Sequence, residues 1–338
     1  MPNVSHDFSQ FPFALLVLSI PGAVFWPYFA GAAILVIGLA SSIRNRVGQA
    51  SGLDKFILFG PLSFAIGMAI FGADHLVAAK FVATVVPSWM PGRLFWAYFV
   101  GFALLAAALS LATAIRWRLA AALLGIMIFI FVLTIHLPNL LAAPHEKTRL
   151  TIFLRDLLLS AGALAFGVSQ TGLAHAPRAN ASLRALAPKL IAIARFVIAI
   201  CIAVYGVDHF LFPTFAPGFP QEGPAIITMP AWIPAHVFWA YLTGGIFIGC
   251  ALGLLSRRYA RLAATILGIT ALVLILFVYL PLTIAKASDI ANGLNYLAIH
   301  FALVGAAFFL AEASPTAASE PAAVPEVRRS GVRQVPGS

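Results

Sequence analysis

Charge is what this sequence has least of. Only 9% of its 338 residues are Asp, Glu, Lys or Arg, against about 25% in a soluble globular chain. That is too few to cover a water-facing surface, which excludes a soluble enzyme, a nucleic-acid binder and a disordered scaffold. Cysteine is nearly missing too. Cys201 and Cys250 sit within apolar runs without C-x-x-C spacing, which excludes a disulfide framework, a zinc ribbon and a dithiol redox centre. With no H-E-x-x-H and no cysteine–histidine pattern, no metal site is expected. The ten-residue alternation of a transmembrane β-barrel is absent, and so is the basic n-region of a signal peptide, so no cleavage is expected.

What is present is hydrocarbon. Hydrophobic residues make up 62% of the chain, and the mean hydropathy is +0.98. Apolar runs able to cross roughly 30 Å of bilayer core recur along the chain. Their positions are 21–43, 56–79, 92–115, 118–137, 151–171, 189–212, 235–255, 261–281 and 293–312. Lipid offers backbone groups no partner, so each run reads as a helix. The expectation is an all-α integral membrane protein with nine transmembrane helices. Residues 11–20 are apolar but too short to span and read as an interfacial lead-in. Residues 314–338, rich in Ala, Pro, Ser, Glu and Arg, read as a disordered tail.

Basic residues orient the chain. Arg44, Arg46, Lys55, Arg116, Arg118, Arg178, Arg184, Lys189, Arg257, Arg258, Arg261, Arg328, Arg329 and Arg333 fall on one side. Lys80, Arg93, Lys147, Arg149, Arg155 and Lys286 fall on the other. By the positive-inside bias the N-terminus lies outside and the C-terminus in the cytoplasm. A multi-pass protein of a bacterial-type inner membrane is expected, with the lipid bilayer as its first partner and no nucleic acid.

The chain also repeats itself. PSWMPGRLFWAYFVG from Pro87 returns as PAWIPAHVFWAYLTG from Pro230, and RLAAALLGI from Arg118 returns as RLAATILGI from Arg261, both at an offset of 143. Without a gap, 18 of the 40 positions in 87–126 are identical. Upstream, FGADHLVAAKF (71–81) matches YGVDHFLFPTF (205–215), with a longer loop after the second copy. A partial third copy, IPGAVFWPYFAG (20–31), matches residues 90–101. The even number of spans per copy makes this a parallel repeat, unlike the inverted repeats of many carriers. The expected organisation is a lead-in and orphan helix (1–50), a four-helix module (51–173), a cytoplasmic linker (174–188), a second module (189–313) and the tail.

The run G-x-D-H-F-x-x-P-x-F, then P-x-W-x-P, W-x-Y-x-x-G, a basic turn and R-x-A-x-x-x-L-G-I resembles the DoxX and DoxX-like membrane proteins. It is fullest from Gly206 to Pro281. The first module, Gly72 to Pro138, departs from it with Leu76 and Ala79 in place of Phe210 and Pro213. The resemblance implies a four-helix membrane bundle, here duplicated. It also implies kinship with proteins some of which are subunits of a thiosulfate:quinone oxidoreductase or of membrane redox complexes. A quinone cofactor and a membrane redox partner follow from that kinship alone.

Ionisable residues within spans are costly and therefore candidates for function. Asp74-His75 ends the second span and Asp208-His209 the sixth. An acid at a helix C-terminus opposes the macrodipole by about 0.3–1 kcal/mol, so a compensating partner is expected, with the adjacent histidine the natural choice. His136 precedes Pro138, and its repeat partner is Tyr279. Arg155-Asp156 lies in the fifth span, read as an ion pair holding the bundle, and His300 in the ninth. Two polar pockets are therefore expected on the outer side. One holds Asp208, His209, Tyr279 and His300 and is favoured for its fuller motif. The other holds Asp74, His75, His136 and Asp156. Their imidazoles suit proton transfer to a quinone headgroup or ligation of a metal. Trp26, Trp96 and Trp239 with Tyr28, Tyr98 and Tyr241 read as an aromatic belt, and Gly101 and Gly244 as close helix contacts. The functional expectation is an auxiliary or quinone-reactive subunit of a redox system, the alternatives being a small-solute carrier or channel and a non-catalytic scaffold.

Overall fold

The structure, a computed structural model, describes residues 21–43, 50–169, 181–219 and 228–314. The lead-in 11–20 and the tail from 315 lie outside the described residues, as do Arg44, Arg46 and Arg178. Among the described residues there are no strands, and nine helices are long and apolar enough to cross a membrane. They are α1 (Gly22–Ser41), α2 (Asp54–Val77), α3 (Arg93–Thr113), α4 (Trp117–Ala142), α5 (Lys147–Gly167), α6 (Arg184–Leu211), α7 (His236–Leu255), α8 (Ala260–Ala285) and α9 (Leu294–Ala313). Large apolar side chains such as Phe102, Ile193 and Leu252 are more than half exposed. A soluble monomer does not display such a surface at this density, whereas a multi-pass membrane protein turns it to lipid.

The 174–188 linker is shorter than expected. The helix that becomes α6 starts at Ala181 and carries Pro188 inside it. Proline removes one i→i−4 bond, a loss the helix tolerates near its N-terminal end, so Pro188 does not mark a boundary.

The nine helices do not segregate into two self-contained four-helix bundles. Consecutive helices pack within each module, but α2 lies along α9, α6 lies along α5, and α5 and α9 lie against each other. The first and last helices of one module, which a closed bundle would join, barely meet. Small residues explain the exchange, because helices in lipid associate through close packing rather than through hydrophobic burial. A Cβ on Gly162 of α5 would approach Ala306 of α9 to 2.7 Å, and one on Gly305 would press into the α2 backbone at Phe64. The α2–α3 and α6–α7 contacts are sealed in the same way, Gly72 against Gly101 and Gly206 against Gly244. Buried helices thus form the centre, α9 and α2 above all, while α1 is mostly exposed.

Local structure recurs at the sequence offset. Trp117–Phe131 and Ala260–Leu274 are α-helical; each passes into a π-turn, Val132–His136 or Ile275–Tyr279, and then into Leu137–Ala142 or Leu280–Ala285. Pro138 and Pro281 cause these turns. A proline leaves the carbonyl four residues back without a donor, and a wider turn absorbs the ring. Each π-turn ends on a candidate residue, His136 or Tyr279.

Candidate functional site: a cavity at the histidine end

Three histidines share one local device. His75 Nδ1 donates to Phe71 O (2.7 Å), His209 Nδ1 to Tyr205 O (2.5 Å) and His300 Nδ1 to Tyr296 O (2.7 Å). Each bond runs to the carbonyl one helical turn back. Since a carbonyl only accepts, Nδ1 carries the proton and Nε2 is left as an acceptor in the neutral ring. What Nε2 then meets separates the three.

In the second module the acceptor is consumed or covered. The longer loop after α6 turns back into the helices. Gly218 N–H donates to His209 Nε2 (2.9 Å), and Tyr279 Oη donates to Pro217 O (2.6 Å). Phe219 is buried against Tyr205 and His300, with ring centroids 5.0 and 5.3 Å apart. His300 stacks on Tyr279 at 3.6 Å, and its Nε2, buried without a hydrogen-bond partner among the described residues, faces Gly218. His209, Tyr279 and His300 are therefore brought together, but around a plug rather than around a space. Asp208 does not join them. It pairs with Lys147 of α5 (2.8 Å), whose amine also lies 3.1 Å from the Phe212 ring centroid.

The first module holds the space instead. A cavity of about 530 Å³ lies among α2, α3, α4 and α5. Asp74, His75, His136, Arg155 and Asp156 form its polar end, and Phe71, Phe81, Trp89, Trp96 and Phe131 are among its apolar walls. All four first-module candidates thus meet at one site. Asp156 is its anchor: Oδ2 lies 2.9 Å from His136 Nε2, and Oδ1 accepts from Arg155 Nε at 2.7 Å. Arg155 thereby faces the cavity with terminal amino nitrogens that no protein group engages among the described residues. His75 Nε2 likewise has no protein partner there. Asp74 faces the Asn295 side chain of α9. Asp208 is compensated by Lys147 rather than by its adjacent histidine, whereas Asp74 interacts with both His75 and Asn295. Each histidine is committed to its own helix backbone, and each acid finds a partner on another helix.

The cavity opens sideways. Phe99 of α3 and Ile130 of α4 both line it and are 51% and 50% exposed, so one opening lies between these helices; Phe81 and Trp89, more exposed still, border a second opening at the α2–α3 connection. Arg155 and the aromatic walls Phe81 and Trp89 were not part of the candidate pocket read from the sequence. Arg155 was legible as one half of an intramembrane ion pair, but nothing in the sequence assigns Phe81 or Trp89 to a cavity.

The remaining candidates are structural. Trp96 Nε1 donates to Pro91 O (3.1 Å) and Trp239 Nε1 to Pro234 O (3.0 Å), fixing each ring at a helix start. Tyr98 and Tyr241 are about two-fifths exposed, as belt residues are. Cys201 and Cys250 are buried and unpaired. Among the described residues, no group of three or more His, Cys, Asp or Glu side chains is placed to hold a metal ion. Comparison with protein-family models, with curated proteins and with solved structures finds no match for this chain.

Proposed function

We propose that this is a DoxX-like protein of a bacterial-type inner membrane, with its N-terminus outside, whose first module binds a lipid-soluble quinone. In this reading it serves as an auxiliary or quinone-reactive subunit of a membrane redox system. The cavity carries the proposal. It is apolar along its walls, polar at one end and open toward lipid, as a ligand that arrives through the bilayer requires. The recurrence of π-turns, tryptophan anchors and glycine contacts at matched positions supports two parallel copies of one module behind an orphan helix.

The residues present fit a quinone headgroup. The Arg155 amino nitrogens can donate to a carbonyl oxygen. His75 Nε2 can accept the proton of a hydroxyl, its ring held in that state by the Phe71 carbonyl. Asp156 holds Arg155 and His136 in place, and the aromatic walls offer flat apolar faces to a ring. A bound quinone supplies the capacity to carry electrons together with protons. The second module, plugged by Phe219, has no such role and serves packing.

The test is binding to the purified protein in nanodiscs. A short-chain ubiquinone should quench the fluorescence of Trp89 and Trp96, which line the cavity. His75→Ala should weaken binding about tenfold, the worth of one hydrogen bond to a polar ligand group, without lowering thermal stability by a comparable amount. His209→Ala should do the reverse. Equal quenching in wild type and in a Trp89→Phe/Trp96→Phe variant would overturn the assignment.

A further inference from the structure

A second void lies directly against the cavity. It measures about 380 Å³ and is walled by Ala103, Ala107 and Ser110 of α3 and by Leu119, Leu123 and Met127 of α4, ending at Arg116. Met127 lines both voids. The neighbouring pairs Ala103/Leu104 and Leu124/Ile128 continue the wall from one to the other. The two voids are therefore successive parts of one depression along the α3–α4 seam.

The seam is open for a reason legible in its side chains. Ala103, Ala106 and Ala107 lie three and four residues apart, on one face of α3. They present methyl groups opposite Leu119, Ala120, Leu123 and Leu124 of α4. Helices that close through alanines need their backbones to approach, as α2 and α3 do at Gly72 and Gly101. Between α3 and α4 no such glycine pair exists, and the methyl-lined channel remains. It is a largely apolar trough, with the pliable Met127 at the junction.

We infer that this trough holds the hydrocarbon tail of the same ligand, and that the tail is long enough to cross the bilayer core. The inference rests on the headgroup reading above. From His136 to Arg116, α4 rises by roughly 30 Å at ~1.5 Å per residue, about the thickness of the hydrocarbon core. A phospholipid acyl chain anchored at either surface reaches only about half that depth. A chain anchored near His75 and filling both voids therefore belongs to a polyprenyl lipid rather than to a bilayer phospholipid. Because lipid is as apolar as the trough, the tail gains dispersion contacts and not hydrophobic burial. The resulting preference is moderate and depends on length.

The experiment compares a ubiquinone bearing one short prenyl unit with its long-chain polyprenyl homologue, each titrated into wild-type protein in nanodiscs and read by tryptophan quenching. Wild type should prefer the long-chain homologue by about tenfold at equal mole fraction. Ala103→Phe/Ala107→Phe, which fills the trough, should abolish that preference and leave short-chain binding unchanged. Leu123→Trp, entering from the opposite wall, should do the same and guards against a variant that fails to fold. If the two homologues bind wild type equally, the trough holds ordinary bilayer acyl chains; the inference then fails while the headgroup site stands. Persistence of the preference in both filled variants also defeats it. If neither homologue binds wild type, the headgroup reading falls and the tail with it.

Discussion

Replacing Gly218 by alanine tests whether the second histidine cluster is a latch. Gly218 has φ +122°, a backbone region that side-chain-bearing residues rarely adopt, and strain of that kind costs about 1–3 kcal/mol. The added methyl would also overlap the His300 ring. That ring cannot retreat, because Tyr279 stacks on it at 3.6 Å and Phe219 packs against it. The loop must move instead. It then breaks the Gly218 N–H bond to His209 and the Tyr279 hydroxyl bond to Pro217, leaving buried polar groups unmade at about 1–3 kcal/mol each. The expected loss is about 3–9 kcal/mol. Thermal unfolding of detergent-purified protein measures it against Gly245→Ala as control. Gly245 is helical and has open space around it, so alanine there should stabilise by about 0.5–1 kcal/mol. Equal unfolding temperatures for the two variants would refute the latch.

Two further outcomes are expected. Asp208→Asn should destabilise by about 3–5 kcal/mol by leaving Lys147 charged and largely buried, whereas Lys147→Met/Asp208→Leu should recover most of the loss; thermal unfolding of both variants decides it, and a double variant as unstable as the single one would contradict the pairing. A reporter fused after Arg333 should behave as cytoplasmic and one inserted in the 213–230 loop as external, and the opposite result would reverse the proposed orientation.

The helices were legible because each is a long apolar run. The largest error was at α6, where polar, proline-bearing residues outside the apolar run still continue the helix. That the first-module candidates share one cavity was also legible. Asp74, His75, His136 and Asp156 lie at the same end of their helices by simple counting, and all four line the space that α2, α3, α4 and α5 leave between them. That the second module's candidates close around a plug was not legible, for a definite reason. Its fuller motif and longer loop were both visible, but whether a loop lies on the surface or turns inward depends on contacts such as Phe219 with His300, which leave no periodic trace. The packing of α2 on α9 was equally hidden. α9 is apolar on every side, so no stripe tells which neighbours it faces, and only Gly305 and its alanines hold the clue.

The exchange of partners between modules has a consequence in time. During synthesis α2 enters the membrane early, yet the helix it lies along is the last to emerge. Until Leu294–Ala313 arrives, Phe64 and Gly67 on α2 have no final neighbour, and α5 lacks the helix that meets Gly162. Neither half can reach its finished form as a separate translation product. A ribosome that stops short of these twenty residues leaves not one complete module and one fragment, but two unfinished ones.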